Sequence, residues 1–175
     1  MFLDLIKNRR SVRKFQNKSV EKEKLDLLIE AALRSPSSRS LNPWEFIIVT
    51  DNDLLADLSQ SKPHGASFLK DAPLGIVVIA APDKCDVWIE DSSIASTFIQ
   101  LAAESIGLKS CWIQIRKRFY TETVTAETRV RELLEIPLNY SVESIIAIGY
   151  PDEIKPGHSK ESLSYEKIHQ NRFQK

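Results

Sequence analysis

The chain has 175 residues, of which 42% are hydrophobic and 27% charged, the composition of one compact globular domain. Its 24 Lys and Arg offset 24 Asp and Glu, so it lacks the positive field that drives non-specific nucleic-acid binding or attraction to an anionic membrane. Two cysteines, Cys85 and Cys111, are too thin a framework for a secreted disulfide scaffold and point to a reducing, cytoplasmic compartment.

Phe2, Leu5 and Ile6 recur at helical spacing and predict a first helix. Asp4 interrupts the apolar run and no small-residue cleavage site follows, so the segment does not read as a targeting peptide, and the mature chain is expected to begin at Met1. Nowhere do about eighteen apolar residues run together, as a spanning helix requires, so no membrane partner is expected. A second helix carries Leu25, Leu28, Ile29, Ala32 and Leu33, with Ser19 as its expected N-cap and Pro36 as its stop. Residues 45–50 predict a strand, after which Asp51 caps a polar helix through Leu54, Leu55 and Leu58. Residues 75–81 form a continuous apolar run suited to a strand buried on both faces.

Ile94, Phe98, Leu101, Ala102 and Ile106 predict a core helix over 91–106, ended by Gly107. Residues 110–115 predict a third strand and 142–149 a fourth. Between them, Thr125 caps a helix carrying Val130, Leu133 and Leu134, which Pro137 ends. Beyond Pro151 the chain turns polar, then recovers Leu163, Tyr165, Ile168 and Phe173, which favours a tail that docks rather than frays.

Arg9-Arg10-Ser11-Val12-Arg13 follows the first helix. If it is extended, alternation puts Arg9, Ser11 and Arg13 on one side, where two guanidinium forks and a hydroxyl suit a phosphate. The same residues also suit a solvated basic helix end. Residues 35–44 form a polar loop leading to Trp44, which either packs on a planar ligand or closes the core.

In this order and spacing the two segments resemble the nitroreductase family. Its R-R-S-x-R-x-F opening is matched by Arg9, Arg10, Ser11, Arg13 and Phe15, and its P-S-S-x-N-x-Q-P-W by Pro36, Ser37, Ser38, Pro43 and Trp44. Residues 107–113 are similar to its G-L-G-S-C-W-I, and Ile136-Pro137 with Gly149-Tyr150-Pro151 to its I-P and G-Y-P landmarks. The resemblance implies that Arg9, Arg10 and Ser11 hold the phosphate and ribityl end of FMN. Arg13 would approach the N1 and C2 carbonyl edge and stabilise the reduced flavin electrostatically. Pro36, Ser37, Ser38 and Ser40 would reach the flavin of the other subunit, so that the site exists only in a homodimer. Backbone around Trp112, Ile113 and Gln114 would line the ring, and Lys160 would add a phosphate cation from the tail.

The sequence departs from the family pattern at Ser40 and Asn42, where Asn and Gln are usual, and at Lys109, where Gly is usual. Gln114-Ile115 lacks a frequent Gly, and Ser162 stands in place of a second tail Arg. These departures bear on flavin affinity and substrate range.

The expected fold is α+β, a nitroreductase-like, mostly antiparallel central sheet of four own strands flanked by helices. Residues 1–175 would form a single domain in an intertwined homodimer, with 152–175 as a tail docking on the partner. Five glycines, at 65, 75, 107, 149 and 157, leave no G-x-G-x-x-G and no P-loop, so NAD(P)H is expected to visit the flavin directly as a co-substrate. The flavin would carry the chemistry, with no catalytic side chain and no metal. His64, His158 and His169 read as surface residues, His64 alone being placed to line an opening.

The implied activity is ping-pong reduction of nitroaromatics, quinones or similar electron-poor small molecules. Alternatives are dehydrogenating, dehalogenating or flavin-consuming chemistry within the family, or a flavin-binding redox protein without turnover. Short segments at 51–73 and 115–125 leave little lid and suit an open site.

Overall fold

The computed structural model describes residues 2–174; Met1, where the mature chain is expected to start, and Lys175, the last tail residue, lie outside them. The apolar runs become four antiparallel strands, β1 (Trp44–Val49), β2 (Leu74–Ala80), β3 (Lys109–Gln114) and β4 (Ser141–Gly149), in the order β1-β2-β4-β3. All four lie within one residue of their predicted bounds. Central β2 and β4 are buried on both faces because their apolar, mostly β-branched residues run without polar alternation, from Ile76 to Ile79 and from Ile145 to Ile148.

Helices cover both faces. Leu28 and Ala32 of α2 (Lys22–Leu33) and Ile99 and Ala103 of α4 (Trp88–Ser105) pack on Leu74, Ile76, Val78, Ile146 and Ile148. α1 (Phe2–Asn8) leans on α4. On the other face Leu55 and Leu58 of α3 (Asn52–Ser59) and Val130 of α5 (Ala126–Leu134) meet Val77, Ile79, Ile113, Ile145 and Ala147. Each fully buried Leu, Ile or Val contributes about 1.5–3 kcal/mol relative to exposure, so these two clusters hold the sheet between its helices.

The predicted caps of α3 and α5 form as expected, Asp51 accepting from Leu54 N and Thr125 from Thr128 N. Ser19 does not cap α2: Glu21 stands at that position without a side-chain cap, its carboxylate taken by the Tyr150 hydroxyl at 2.6 Å and by Lys18 at 3.2 Å. The core helix begins at Trp88 rather than 91, which places Asp91 inside it and buried.

The G-Y-P landmark has a packing cause. A Cβ on Gly149 would lie 2.6 Å from Pro73 Cδ and 3.0 Å from Phe15, so only glycine lets β4 end against those rings. Pro151 then bridges Phe15, tying the N-terminal arm to the start of the tail.

Candidate active site

The arm, residues 9–15, leaves α1 through an Arg9 N to Leu5 O bond of 2.8 Å and joins the outer edge of β3, where Ser11 bridges Ser110 in parallel. Val12 and Phe15 are buried in the core and anchor the segment, so Ser11 and Arg13, on either side of Val12, face away from it. Arg10 donates to the Pro156 carbonyl, and the Arg13 guanidinium lies 5.7 Å from the Phe68 ring centroid. The Arg9 side chain is half-buried and makes no ion pair among the described residues.

Val12 N donates to Ser110 O at 3.1 Å, so the alternation of an extended strand turns the N–H and C=O of Trp112 and Gln114 to the same outer edge. Lys62 Nζ donates to the Gln114 carbonyl at 2.9 Å. The Gln114 side chain turns inward instead: Oε1 accepts from Trp112 Nε1 at 2.9 Å and Nε2 donates to Arg116 O at 3.1 Å.

Three tail and loop residues that the sequence did not single out complete this edge. Lys155 donates to Ser11 O at 3.0 Å and to Glu153 Oε1 at 2.8 Å. Glu153 also accepts from Arg13 N at 2.6 Å and Lys14 N at 3.2 Å, and these backbone bonds, with Lys155, hold its carboxyl down at about 2. Lys62 is the third; burial first and Arg118 second push its pKa down. Burial raises the Cys111 thiol despite Arg13, Lys155 and Lys62 nearby, which keeps it a protonated core group and not a nucleophile.

Lys160 is exposed and its side chain makes no hydrogen bond or ion pair among the described residues. It lies within about 10 Å of Gly157 along the chain. Gly157 itself crosses the end of α1, where an added Cβ would stand 2.0 Å from the Lys7 carbonyl.

The loop 36–40 is elsewhere. It enters β1, at the sheet edge opposite β3, and two strands separate them, about 14 Å at the usual spacing. Ser38 N donates to Asp91 Oδ1 at 2.9 Å, and Ser37 Oγ bonds Asn42 Oδ1 at 2.6 Å and accepts from Asn42 N at 2.9 Å. Arg39, Ser40 and Asn42 all adopt positive φ, 53°, 54° and 46°, so this loop holds a costly shape that the two anchors secure. Pro36 and Ser40 are exposed, and one chain does not bring them to the arm.

Two departures from the family pattern find local roles: Asn42 locks onto Ser37, and Lys109 pairs with Glu104. Trp44 closes the core, buried and 5.3 Å from Phe46. His64 and His158 are exposed, and His169 stacks on Phe173.

Behind Gln114, Glu143 is only 4% exposed, with its Oε2 4.0 Å from Arg116 Nε and without a hydrogen-bond partner. Burial pushes its carboxyl up, so the folded state holds a proton that the unfolded chain releases at lower pH. Stability from this group is complete below the unfolded value and lost as pH rises through the folded one. We expect Glu143→Gln to melt higher than the native protein at neutral pH, the gap closing as pH falls through the raised folded value and absent below about 4.5 in parallel thermal scans.

A crevice of about 950 Å³ lies at the far end of the sheet among Gln16, Asn52, Lys70 and Asp152, and shares Arg13, Lys14 and Phe15 of the arm with the β3 edge. It lacks the outward backbone of Trp112 and Gln114 and the Lys62 cation, so the β3 edge is the better candidate.

Residues 6–64 and 57–150 match the Nitroreductase family. A Clostridium difficile structure described as an FMN-dependent nitroreductase is 51% identical, with a TM-score of 0.96 over 98% of this chain and 99% of that one. A Methanothermobacter thermautotrophicus protein named putative NADH dehydrogenase/NAD(P)H nitroreductase is 36% identical over 95% of this chain and 85% of its own length. A Thermotoga neapolitana protein named iodotyrosine deiodinase is 27% identical over 93% of this chain and 95% of its own. Among the described residues no helix is long and apolar enough to cross a membrane.

Proposed function

This chain belongs to the nitroreductase family, and from that premise we propose that it works as a homodimeric, FMN-binding oxidoreductase passing reducing equivalents from NAD(P)H to nitroaromatic, quinone or similar electron-poor acceptors. The observation that carries this reading is the outer edge of β3. There, outward backbone donors lie beside Arg9, Arg10, Arg13, Lys62 and Lys155, and the one carboxylate among them, Glu153, is already bonded to the arm and to Lys155. Such a donor set fits an oxyanion at one end and a polar planar ring along the strand. When bound, FMN supplies the two-electron chemistry between NAD(P)H and acceptor.

The chain's own residues do the rest. Arg9, Arg10 and Ser11 grip the phosphate, with Lys160 reaching in from the tail. The backbone of Trp112, Ile113 and Gln114 orients the ring. Arg13 would supply the positive charge that stabilises a reduced, anionic flavin.

Pro36, Ser37, Ser38 and Ser40 serve the site of a second copy. Their place on the opposite sheet edge supports this, as do the apolar side chains left open on one face: Phe2, Leu3 and Ile6 of α1, Leu27 and Leu33 of α2, and Ile94 and Phe98 of α4. Residues 152–175 then close over that copy, and the whole of 1–175 acts as one domain.

Both substrates need the same open ring face, so one leaves before the other enters. Double-reciprocal plots at several acceptor concentrations are expected to be parallel; lines that intersect contradict a shared face. Similarity to the protein named iodotyrosine deiodinase favours a second reading, reductive removal of halide from an aromatic carbon, for which halide release under NAD(P)H is the assay.

A further inference from the structure

The loop between α2 and β1 is fixed at its two ends and at one buried point between them. Ser35 and Pro43 are buried, Ser35 Oγ donating to Ala32 O at 2.7 Å and Pro43 O accepting from Ala81 N at 3.0 Å. Between those ends, two side-chain contacts tie the loop to the rest of the chain among the described residues. Arg39 pairs with Asp86, but both side chains are well exposed and such a pair contributes little. The other is the bond from Ser38 N to Asp91 Oδ1, 2.9 Å long and made to a carboxyl group only 3% exposed.

Asp91 is held from its other oxygen as well. The buried Cys85 thiol donates to Oδ2 at 3.4 Å, and Asp91 forms no ion pair among the described residues. Burying a carboxyl group costs free energy that an apolar side chain does not. Acidity at the start of α4 does not account for it, because Glu90 supplies that from an exposed position in the same turn.

What Asp91 provides is an acceptor at fixed depth under a loop whose backbone needs one. Arg39, Ser40 and Asn42 sit at positive φ with no glycine among them, a shape that persists only where its surroundings impose it. Without the Asp91 acceptor the loop would relax toward commoner conformations, moving the residues on either side of Ser38.

We propose that Asp91 is a positioning residue for the flavin site of a second copy, acting through Ser38 to hold residues 36–40 in the shape that reaches across. This rests on the function proposed above. Its effect is exerted in trans: a chain without the Asp91 acceptor spoils the site on its partner and leaves its own arm intact.

The test uses the full chain as Asp91→Leu, which fills similar space without an acceptor, as Asp91→Ala, and as Asp91→Asn, which keeps an oxygen for Ser38 N. Titration with FMN should show a Kd raised about 10- to 100-fold in the first two and within about threefold of native in the third. Subunit mixing gives the readout that a merely structural role would not move. Mixed with protein carrying Arg9→Ala and Arg10→Ala, Asp91→Leu should regain yellow colour, since each mixed dimer joins one intact arm to one intact loop. Mixed with Ser40→Trp it should stay colourless, since both loops are then defective. Native affinity in Asp91→Leu and Asp91→Ala overturns the proposal. Colour regained with Ser40→Trp overturns it too, by placing the defect outside the loop. So does colour with neither mixture, or failure of both variants to fold, because Asp91 then serves the fold alone. A native protein that takes up no FMN defeats the proposed function itself, a result distinct from all of these.

Discussion

Deleting residues 157–175 should yield a monomeric or aggregated protein without colour. The tail is attached where the candidate site begins: Arg10 donates to Pro156 O, Lys155 to Ser11 O, and Gly157 passes so close to Lys7 that no larger residue fits. Beyond that crossing, Leu163, Tyr165, Ile168 and Phe173 lie 48–77% exposed in the single chain, with little to justify four large apolar groups unless another surface covers them. At about 1.5–3 kcal/mol for each full burial, scaled to the surface still open, covering them on a partner would be worth about 4–8 kcal/mol, enough to decide whether two copies associate. Removing the tail also removes Lys160 from the phosphate end. Size-exclusion chromatography with absorbance near the flavin bands reads both effects together, and a stable yellow dimer would contradict the account.

The second large effect is expected from the arm. Arg9→Ala with Arg10→Ala should raise the Kd for FMN by about 10²–10⁴, since a charge-assisted bond contributes about 1.5–3 kcal/mol and two guanidinium groups are lost. Neither side chain is in the core, which Val12 and Phe15 occupy, so the thermal unfolding of the flavin-free protein should change little. Titration of flavin-free protein with FMN, followed by fluorescence quenching, measures the affinity. A Kd within threefold of native would show that the phosphate is held elsewhere.

Much of the scaffold was legible in the residues. Short, mostly apolar runs placed the strands within a residue of their positions, and short polar caps such as Asp51 and Thr125 acted as their chemistry demands. Ser19 misled because capping depends on where the chain turns, and here a distant tyrosine, Tyr150, recruits Glu21 and the helix starts after it.

The arm was legible because four functional residues, three Arg and one Ser, sit together in sequence. Lys62, Glu153 and Lys155 were not, since they reach their partners across 52, 140 and 144 residues and nothing local distinguishes them from solvated charges. The loop 36–40 was readable only through the family resemblance: its left-handed backbone is carried by Arg39, Ser40 and Asn42, without a glycine to signal it.

That loop and the arm sit on opposite edges of one sheet, and the central claim is that they meet only between two copies. Subunit mixing tests it most directly. One variant carries Arg9→Ala and Arg10→Ala; the other carries Ser40→Trp, a bulky group on an exposed loop position. Each alone should bind FMN poorly. Mixed under conditions that exchange subunits, they should regain yellow colour, because each mixed dimer assembles one intact arm with one intact loop. A mixture that stays as colourless as its components, although exchange is verified by mass, would contradict the account.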